Sequence, residues 1–221
     1  MKNSSTITVF TPTFNRACCL HNCYNSLKQQ TCKDFLWLII DDGSNDGTKQ
    51  LVEKWIEENI IPIKYYYQEN KGMHSAHNTA YSLINTELNI CVDSDDYLVN
   101  NAIEIITKFW NNFKSSGYAG IIALNATMDK QIIGTKLPER LKDSTYTALY
   151  QKENIKGDKK LIYRSDLMKE CPSYPVIEGE KYFPLSYKYM LLDKNYKLLI
   201  LNEIICIVNY RIDGSTKNMF S

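Results

Sequence analysis

The stretch Asn89-Ile90-Cys91-Val92-Asp93-Ser94-Asp95-Asp96 constrains the chain more than any other, because an apolar run stops there at three carboxylates within four residues. Asp93 and Asp95 stand two apart, so at the end of an extended strand they share a face. Carboxylates held together repel, and one protonates unless a cation neutralises the pair. Hard divalent cations with oxygen ligands suit such a site. Read alone, the stretch is equally an acidic turn or a helix cap behind a strand. A second run has the same form. Phe35-Leu36-Trp37-Leu38-Ile39-Ile40 is continuously apolar, as in a strand covered on both faces, and it ends in Asp41-Asp42-Gly43-Ser44-Asn45-Asp46-Gly47-Thr48.

Around these two runs, strand and helix patterns alternate. Strands are expected at residues 6–10, 35–40, 63–68, in the run ending at Val92, and at 118–126. Helices are expected at 17–30, 48–59, 75–85 and 100–114, with Leu20, Tyr24 and Leu27, then Leu51, Val52 and Trp55, at helical spacing. Pro12 is expected to stop the first ladder. The pattern is α/β, an open, mostly parallel sheet flanked by helices. Ligands of such sheets bind beyond the carboxyl ends of the strands. Residues 12–15, Asp41 and Asp42, the loop with Lys71 and His74, and residues 93–96 therefore converge on one rim. Beyond Thr127, residues 129–160 read as long loops, 161–163 as a strand and 165–170 as a short helix. Residues 172–180 read as a loop, 181–193 as a helix with Pro184 in its first turn, and 198–201 and 204–208 as strands. Residues 209–216 close the chain. No repeat or linker divides it, so residues 1–221 are expected to form a single domain, with 1–127 and 128–221 as its two parts.

Composition narrows the partners. A chain of 221 residues buries a substantial core. Lys plus Arg number 26 against 25 for Asp plus Glu, a formal net charge of +1. That balance gives no electrostatic argument for nucleic acid. There are seven cysteines and no Cys-x-x-Cys. Cys19 and Cys23 are one helical turn apart with His21 between them, but no second pair has the spacing of a zinc site. A reduced, cytoplasmic compartment fits this usage. The first residues lack an apolar signal core, and no run approaches a membrane span.

Thr11-Pro12-Thr13-Phe14-Asn15-Arg16, the Asp41-to-Thr48 segment and Asp93-Ser94-Asp95-Asp96 occur in this order at strand ends. With Asn70-Lys71-Gly72-x-His74-x-Ala76-x-Asn78 and Glu178-Gly179-Glu180-Lys181-x-Phe183, they resemble the family 2 glycosyltransferases, nucleotide-sugar enzymes of the Rossmann-like GT-A fold. The resemblance runs from Ile7 to about Ser215. It implies a nucleotide-diphospho-sugar donor, here a uridine diphosphate sugar, and Mn²⁺ or Mg²⁺ held by Asp95 with Asp93 or Asp96. It implies that Asp42 accepts the uracil N–H, and that Thr11, Pro12, Thr13 and Phe14 close over the base. Lys71 and His74 would reach the nucleotide or its phosphates, Ser94 would lie beside the donor, and Asn78 would hold the donor loop. Glu180, at the head of the late helix, would be the general base of an inverting transfer, with Glu178 its rival. The sequence departs here from the common Glu-Asp pair. The implied acceptor is a glycan or lipid-linked sugar in the synthesis of cell-surface polysaccharide, lipopolysaccharide or wall glycan. Residues 134–157 and the C-terminal segment, with Tyr146, Tyr150 and Arg164, would contact it. A peripheral contact with the inner face of the membrane is implied too, although no basic amphipathic helix stands out.

Three other readings compete. An aspartyl phosphohydrolase also needs an α/β sheet and Mg²⁺, but it usually carries its Asp-x-Asp on the first strand. A sugar nucleotidyltransferase wants a Gly-rich basic loop where this chain has Thr-Pro-Thr-Phe-Asn. A catalytically silent nucleotide-sugar-binding protein has no need of the full acidic set.

Overall fold

The computed structural model describes residues 5–209. β1 (Ile7–Thr13), β2 (Phe35–Asp41), β3 (Ile63–Tyr67) and β4 (Leu88–Cys91) are joined by α1 (Ala17–Lys28), α2 (Thr48–Glu58) and α3 (Met73–Leu83). The four strands are parallel, in the order β3-β2-β1-β4. β1 and β2 are buried almost throughout, as strands between two layers of crossover helices must be. The chain winds outward from β1 to β3, then returns to the other side of β1 as β4. The crevice between the carboxyl ends of β1 and β4 is thus a topological switch point.

The second half extends the same sheet. β5 (Tyr97–Leu98), α4 (Ala102–Phe113), β6 (Tyr118–Ala126), β7 (Asp143–Ser144), α5 (Tyr146–Gln151), β8 (Lys159–Arg164), α6 (Ser165–Glu170), α7 (Ser186–Leu192) and β9 (Lys197–Ile207) follow. From β4 the order continues β8-β6-β9-β5, with β7 on β9. β8 is antiparallel to β4 and β6, whereas β6 and β9 are parallel. Among the described residues, β1 to β4, β6 and β9 run one way and β5, β7 and β8 the other. The sheet is mixed and mostly parallel, as the alternation implies.

Each face carries an apolar layer. On one, Leu20, Leu27, Trp55, Ile103 and Trp110 of α1, α2 and α4 pack on Val9, Trp37, Ile90 and Ile121. Trp37 is fully buried, its ring centroid 5.9 Å from that of Trp55, and its indole N–H donates to Thr11 Oγ1 at 3.0 Å. On the other face, Ala76, Ala80, Met168 and Leu192 of α3, α6 and α7 cover Phe10, Leu38, Ile40 and Ile122. Among the described residues no helix is long and apolar enough to cross a membrane.

Several elements differ from the sequence reading. Pro12 does not end β1; the strand continues to Thr13, with Pro12 opposite Ile40 of β2. Phe10 O accepts from Val92 on the β4 side and Thr13 O from Asp42 on the β2 side. Backbone polarity alternates along a strand, so Pro12, two residues past Phe10, turns its missing donor toward β4, where pairing has already ended. The loop before α3 is shorter than expected, and His74 falls in the first turn of that helix. The polar stretch 129–160 contains β7 and α5. The late helix starts at Ser186, not at Lys181. Pro184 disfavours helical backbone at Phe183, and Lys181 is held to another loop. Glu178 and Glu180 therefore precede the helix rather than head it. β9 is one strand, not two, with the Asn202-Glu203 interruption absorbed where its register against β6 jumps. Residues 210–216 of the expected closing segment lie outside the described residues.

Candidate active site

A groove of about 1110 Å³ opens at the switch point. Pro12, Thr13 and Phe14 line it from the end of β1, Asp42 from β2, Gly72 to His74 from the start of α3, and Asp93 to Asp96 from the turn after β4. The four loops are tied together. Asn15 N donates to Ser44 Oγ at 2.8 Å, and Asn45 N donates to Asn15 Oδ1 at 2.9 Å. Asp46 accepts from Ala17 N at 2.9 Å and from the Thr48 hydroxyl at 2.6 Å, so one carboxylate serves the amino ends of α1 and α2. Burial works to raise the Asp46 pKa, but these hydrogen bonds outweigh it and hold the carboxyl below its ordinary value. Asp41 is buried and accepts from Ser44 N and the Tyr65 hydroxyl.

Asp42 is buried as well, and its carboxylate organises the next loop. It accepts from Gln68 Nε2 at 2.7 Å, Lys71 N at 3.0 Å and Gly72 N at 2.8 Å. Gly72 has φ +90° and lies under the late loop: a Cβ there would sit 2.3 Å from Lys181 O. Only glycine fits both demands. Lys181 Nζ donates to Asn70 O at 2.6 Å, clasping the late loop to the loop ahead of α3.

Among the described residues, four side chains carry buried polar atoms without a hydrogen-bond partner: Thr13 Oγ1, both ring nitrogens of His74, Asn125 Oδ1 and the Tyr163 hydroxyl. Three of these residues, Thr13, His74 and Asn125, line the groove. Burial pulls the His74 pKa down, with the Asp42 charge and the Lys181 backbone acting the other way. The imidazole is thus neutral at pH 7, with one donor and one acceptor to offer.

The acidic turn is graded in exposure. Asp93 is exposed, Asp95 half-buried and Asp96 buried. Asp96 accepts from Asn209 N at 3.1 Å; it is not a helix cap, since α4 begins only at Ala102. Burial pushes its carboxyl up, with the Lys160 charge opposing the rise. Burial disfavours the Lys160 ammonium too, but Cys206, Asp96, Asp93 and Cys91 outweigh that and hold it charged. Among the described residues no three His, Cys, Asp or Glu side chains come together as a metal cage. Asp93 and Asp95 at the groove instead offer one or two carboxylates, the share a protein gives Mg²⁺ when phosphate oxygens and water complete the shell.

Other sequence candidates sit elsewhere. Thr11 is buried under Trp37, and Lys71 is exposed with its N–H on Asp42. Asn78 spends both ends of its amide on the Tyr174 backbone, bracing the late loop rather than the donor loop. Glu178 and Glu180 are exposed and lie beside the groove, which the adjacent residues 181–186 line. Tyr146 and Tyr150 line it as well. Arg164 does not: it pairs with Asp166 in a separate pocket of about 470 Å³ at the opposite end of β4. Cys19 and Cys23 are buried, while His21 is exposed and packs edge-on against Trp55. Sequence reasoning missed Asn125, Tyr189 and Lys160. For Asn125 the available signal was one amide inside the apolar run Ile121-Ile122-Ala123-Leu124-Asn125-Ala126.

The model for glycosyl transferase family 2 matches residues 8–171 of this chain, ending before the late acidic loop. Glycosyltransferase GlyA of Streptococcus pneumoniae is 26% identical over 157 residues, 68% of this chain and 22% of its own length. TarS 1–349 of S. aureus, solved in complex with UDP-GlcNAc, superposes with a TM-score of 0.68 at 22% identity, over 96% of this chain and 60% of that one. The mannosyltransferase PcManGT of Pyrobaculum calidifontis, solved with GDP-Man and Mn²⁺, gives 0.69 at 16% identity, over 96% and 59%. This chain thus spans about a fifth of the curated relative and about three fifths of the solved ones. The fold is GT-A.

Proposed function

Given that the chain belongs to glycosyl transferase family 2, we propose that it transfers a sugar from a uridine diphosphate donor to a hydroxyl of a cell-surface glycan or lipid-linked sugar, with inversion. The observation that carries this reading is the set of unpartnered buried groups. Thr13 and His74 line the groove beside Asp42, Asp93 and Asp95, and buried polar atoms are left unpaired only where something else satisfies them. Phe14, 47% exposed at the groove edge, gives a base an aromatic face. Asp42 keeps its loop in place with three of its acceptor sites and accepts the uracil N–H with the one that remains. His74 donates to the nucleotide, and Ser94 lines the groove beside it.

Asp95, with Asp93 beside it, would hold Mn²⁺ or Mg²⁺, and the ion would supply positive charge against the diphosphate leaving group. Glu180 takes the acceptor proton as general base. Its place on the loop whose next residues line the groove supports that role. Residues 1–127 supply the donor half and 128–221 the acceptor half. The enzyme works in the cytoplasm at the inner face of the membrane, where a lipid-linked acceptor is presented.

Titration calorimetry with uridine diphosphate tests the donor site. The expected result is binding with Mn²⁺ and at least about tenfold weaker binding without it or in Asp95→Ala, about 1.4 kcal/mol. Equal binding with and without metal would remove the acidic turn from the donor site.

A further inference from the structure

From the path of the late loop we infer that Tyr174 is a positioning residue for the late carboxylates: it closes, at the neck, the loop that carries Glu178 and Glu180, and it mounts that loop on α3. This rests on the transferase reading, in which one of these carboxylates is the base. Residues 175–182 are all exposed and lie outside any helix or strand. Such a segment buries little surface of its own, so the place of its tip is set by what holds its ends. Tyr174 holds both. It is 2% exposed at the start of the loop, and its hydroxyl donates to Leu185 O, at the loop's end, at 2.9 Å. The chain thus leaves and returns at one point, as in a compact Ω-loop.

The backbone of the same residue fixes this neck to α3. Asn78 Nδ2 donates to Tyr174 O, and Tyr174 N donates to Asn78 Oδ1, both at 2.9 Å. Asn78 stands one turn beyond His74 on the same face of α3, and His74 lines the groove. The Tyr174 ring is packed as well. Its centroid lies 6.0 Å from that of Phe183 and 6.4 Å from that of His77. Lys188 of α7, itself 2% exposed, sets its ammonium 5.3 Å from the Tyr174 ring centroid and 4.9 Å from that of Tyr81. The same ammonium donates to Met168 O at 3.0 Å and Cys171 O at 3.3 Å, at the carboxyl end of α6. Tyr174 therefore sits where α3, α7 and the end of α6 meet.

The tip is tied to the loop ahead of α3, by Lys181 Nζ on Asn70 O and by Lys181 O close above Gly72. Neck and tip are thus both held by α3 or by the loop that leads into it, so the late carboxylates keep their place relative to the wall that α3 gives the groove. The Tyr174 hydroxyl is the group that keeps the two arms of the loop together. A general base must stand within hydrogen-bond reach of the proton it takes. Misplacing a reacting group by about 1 Å costs up to about 10²-fold in rate. Loosening the neck is therefore read in turnover, while Asp42 and the acidic turn, which lie on other loops, keep their contacts.

Tyr174→Phe removes one hydroxyl and keeps the ring. The variant is compared with wild type by amide hydrogen exchange and by acceptor-dependent release of uridine diphosphate from its sugar. Exchange across residues 175–184 is expected to quicken at least about fivefold, with α3 unchanged. kcat is expected to fall about tenfold, with KM for the donor within about twofold. That loss should vanish in whichever of Glu178→Gln and Glu180→Gln lowers transfer more, because Tyr174 acts through that carboxylate. Unquickened exchange, an unchanged kcat, or a loss as large in that background would overturn the inference. Should the variant not fold, wild-type protein decides: the Tyr174 N–H, bonded to Asn78, is expected to exchange at least about tenfold more slowly than those of Val176 and Ile177, and equal rates would overturn it. Wild type that releases nothing from any donor would instead overturn the transferase reading, and the exchange rates would still decide whether Tyr174 closes the loop.

Discussion

Asp42→Ala separates the two jobs assigned to that carboxylate. Three donors lose their acceptor: Gln68 Nε2, Lys71 N and Gly72 N. Hydrogen bonds to a charged group contribute about 1.5–3 kcal/mol each. Lys71 is exposed and Gln68 half-buried, so water replaces much of what they lose. Gly72 is buried, and its N–H is stranded. The sum is about 3 kcal/mol, the Gly72 N–H carrying the largest share. For a chain of this size that lowers the melting temperature by about 6–12 °C. Thermal denaturation followed by far-ultraviolet circular dichroism reads it directly. A drop under about 2 °C would refute the claim that Asp42 organises the loop ahead of α3, leaving it a nucleotide contact only.

His77 supplies a pH test. It is buried against Phe10, Tyr81, Cys91 and Tyr174, near Lys188 and His74, and burial pulls its pKa from 6.5 to about 3. Its folded value lies below its unfolded one, so its contribution is complete above pH 6.5 and is lost as pH falls toward 3. Between pH 6.5 and 5 the expected loss is roughly 2 kcal/mol, His74 adding in the same direction. Melting temperatures across that range should flatten in His77→Gln, and an unchanged slope would contradict the burial argument. Gly72→Ala places a methyl against Lys181 O in a left-handed backbone and should cost about 2–4 kcal/mol. Its thermal shift checks the clasp between the loop ahead of α3 and the late loop, and a melting temperature equal to wild type would show that the loops do not touch.

Much of the fold was legible because its central strands are buried on both faces. Phe35 to Ile40 declares a central strand by itself, and Leu51, Val52 and Trp55 declare the helix beside it. Legibility failed where short elements take their stability from neighbours. α5 has six residues and a single buried one, Leu149, so it carries no period. β9 was split because Asn202 and Glu203 interrupt it; the Asn202 amide in fact accepts from Leu137 N and donates to Leu137 O across the bulge. The amphipathic spacing of residues 181–193 runs past Pro184, whereas α7 begins only at Ser186. The switch-point side of the groove was legible as acidic strand ends, since those carboxylates lie in loops that follow apolar runs. Its far end was not. Asn125, Tyr189 and Lys160 come from three elements distant in sequence, and only the interleaving of β8 between β4 and β6 brings them to one groove.

On the proposed reading, this groove cleaves a sugar–diphosphate bond with a carboxylate of the late loop as base. The direct measurement is release of nucleoside diphosphate from a panel of nucleotide sugars with Mn²⁺ and a pyranoside acceptor, wild type against Glu180→Gln. The account predicts acceptor-dependent release from a uridine diphosphate sugar. In Glu180→Gln that release should fall by about 10²–10⁴-fold with nucleotide affinity kept. Undiminished release would take the base away from Glu180, and no release from any donor would contradict the account.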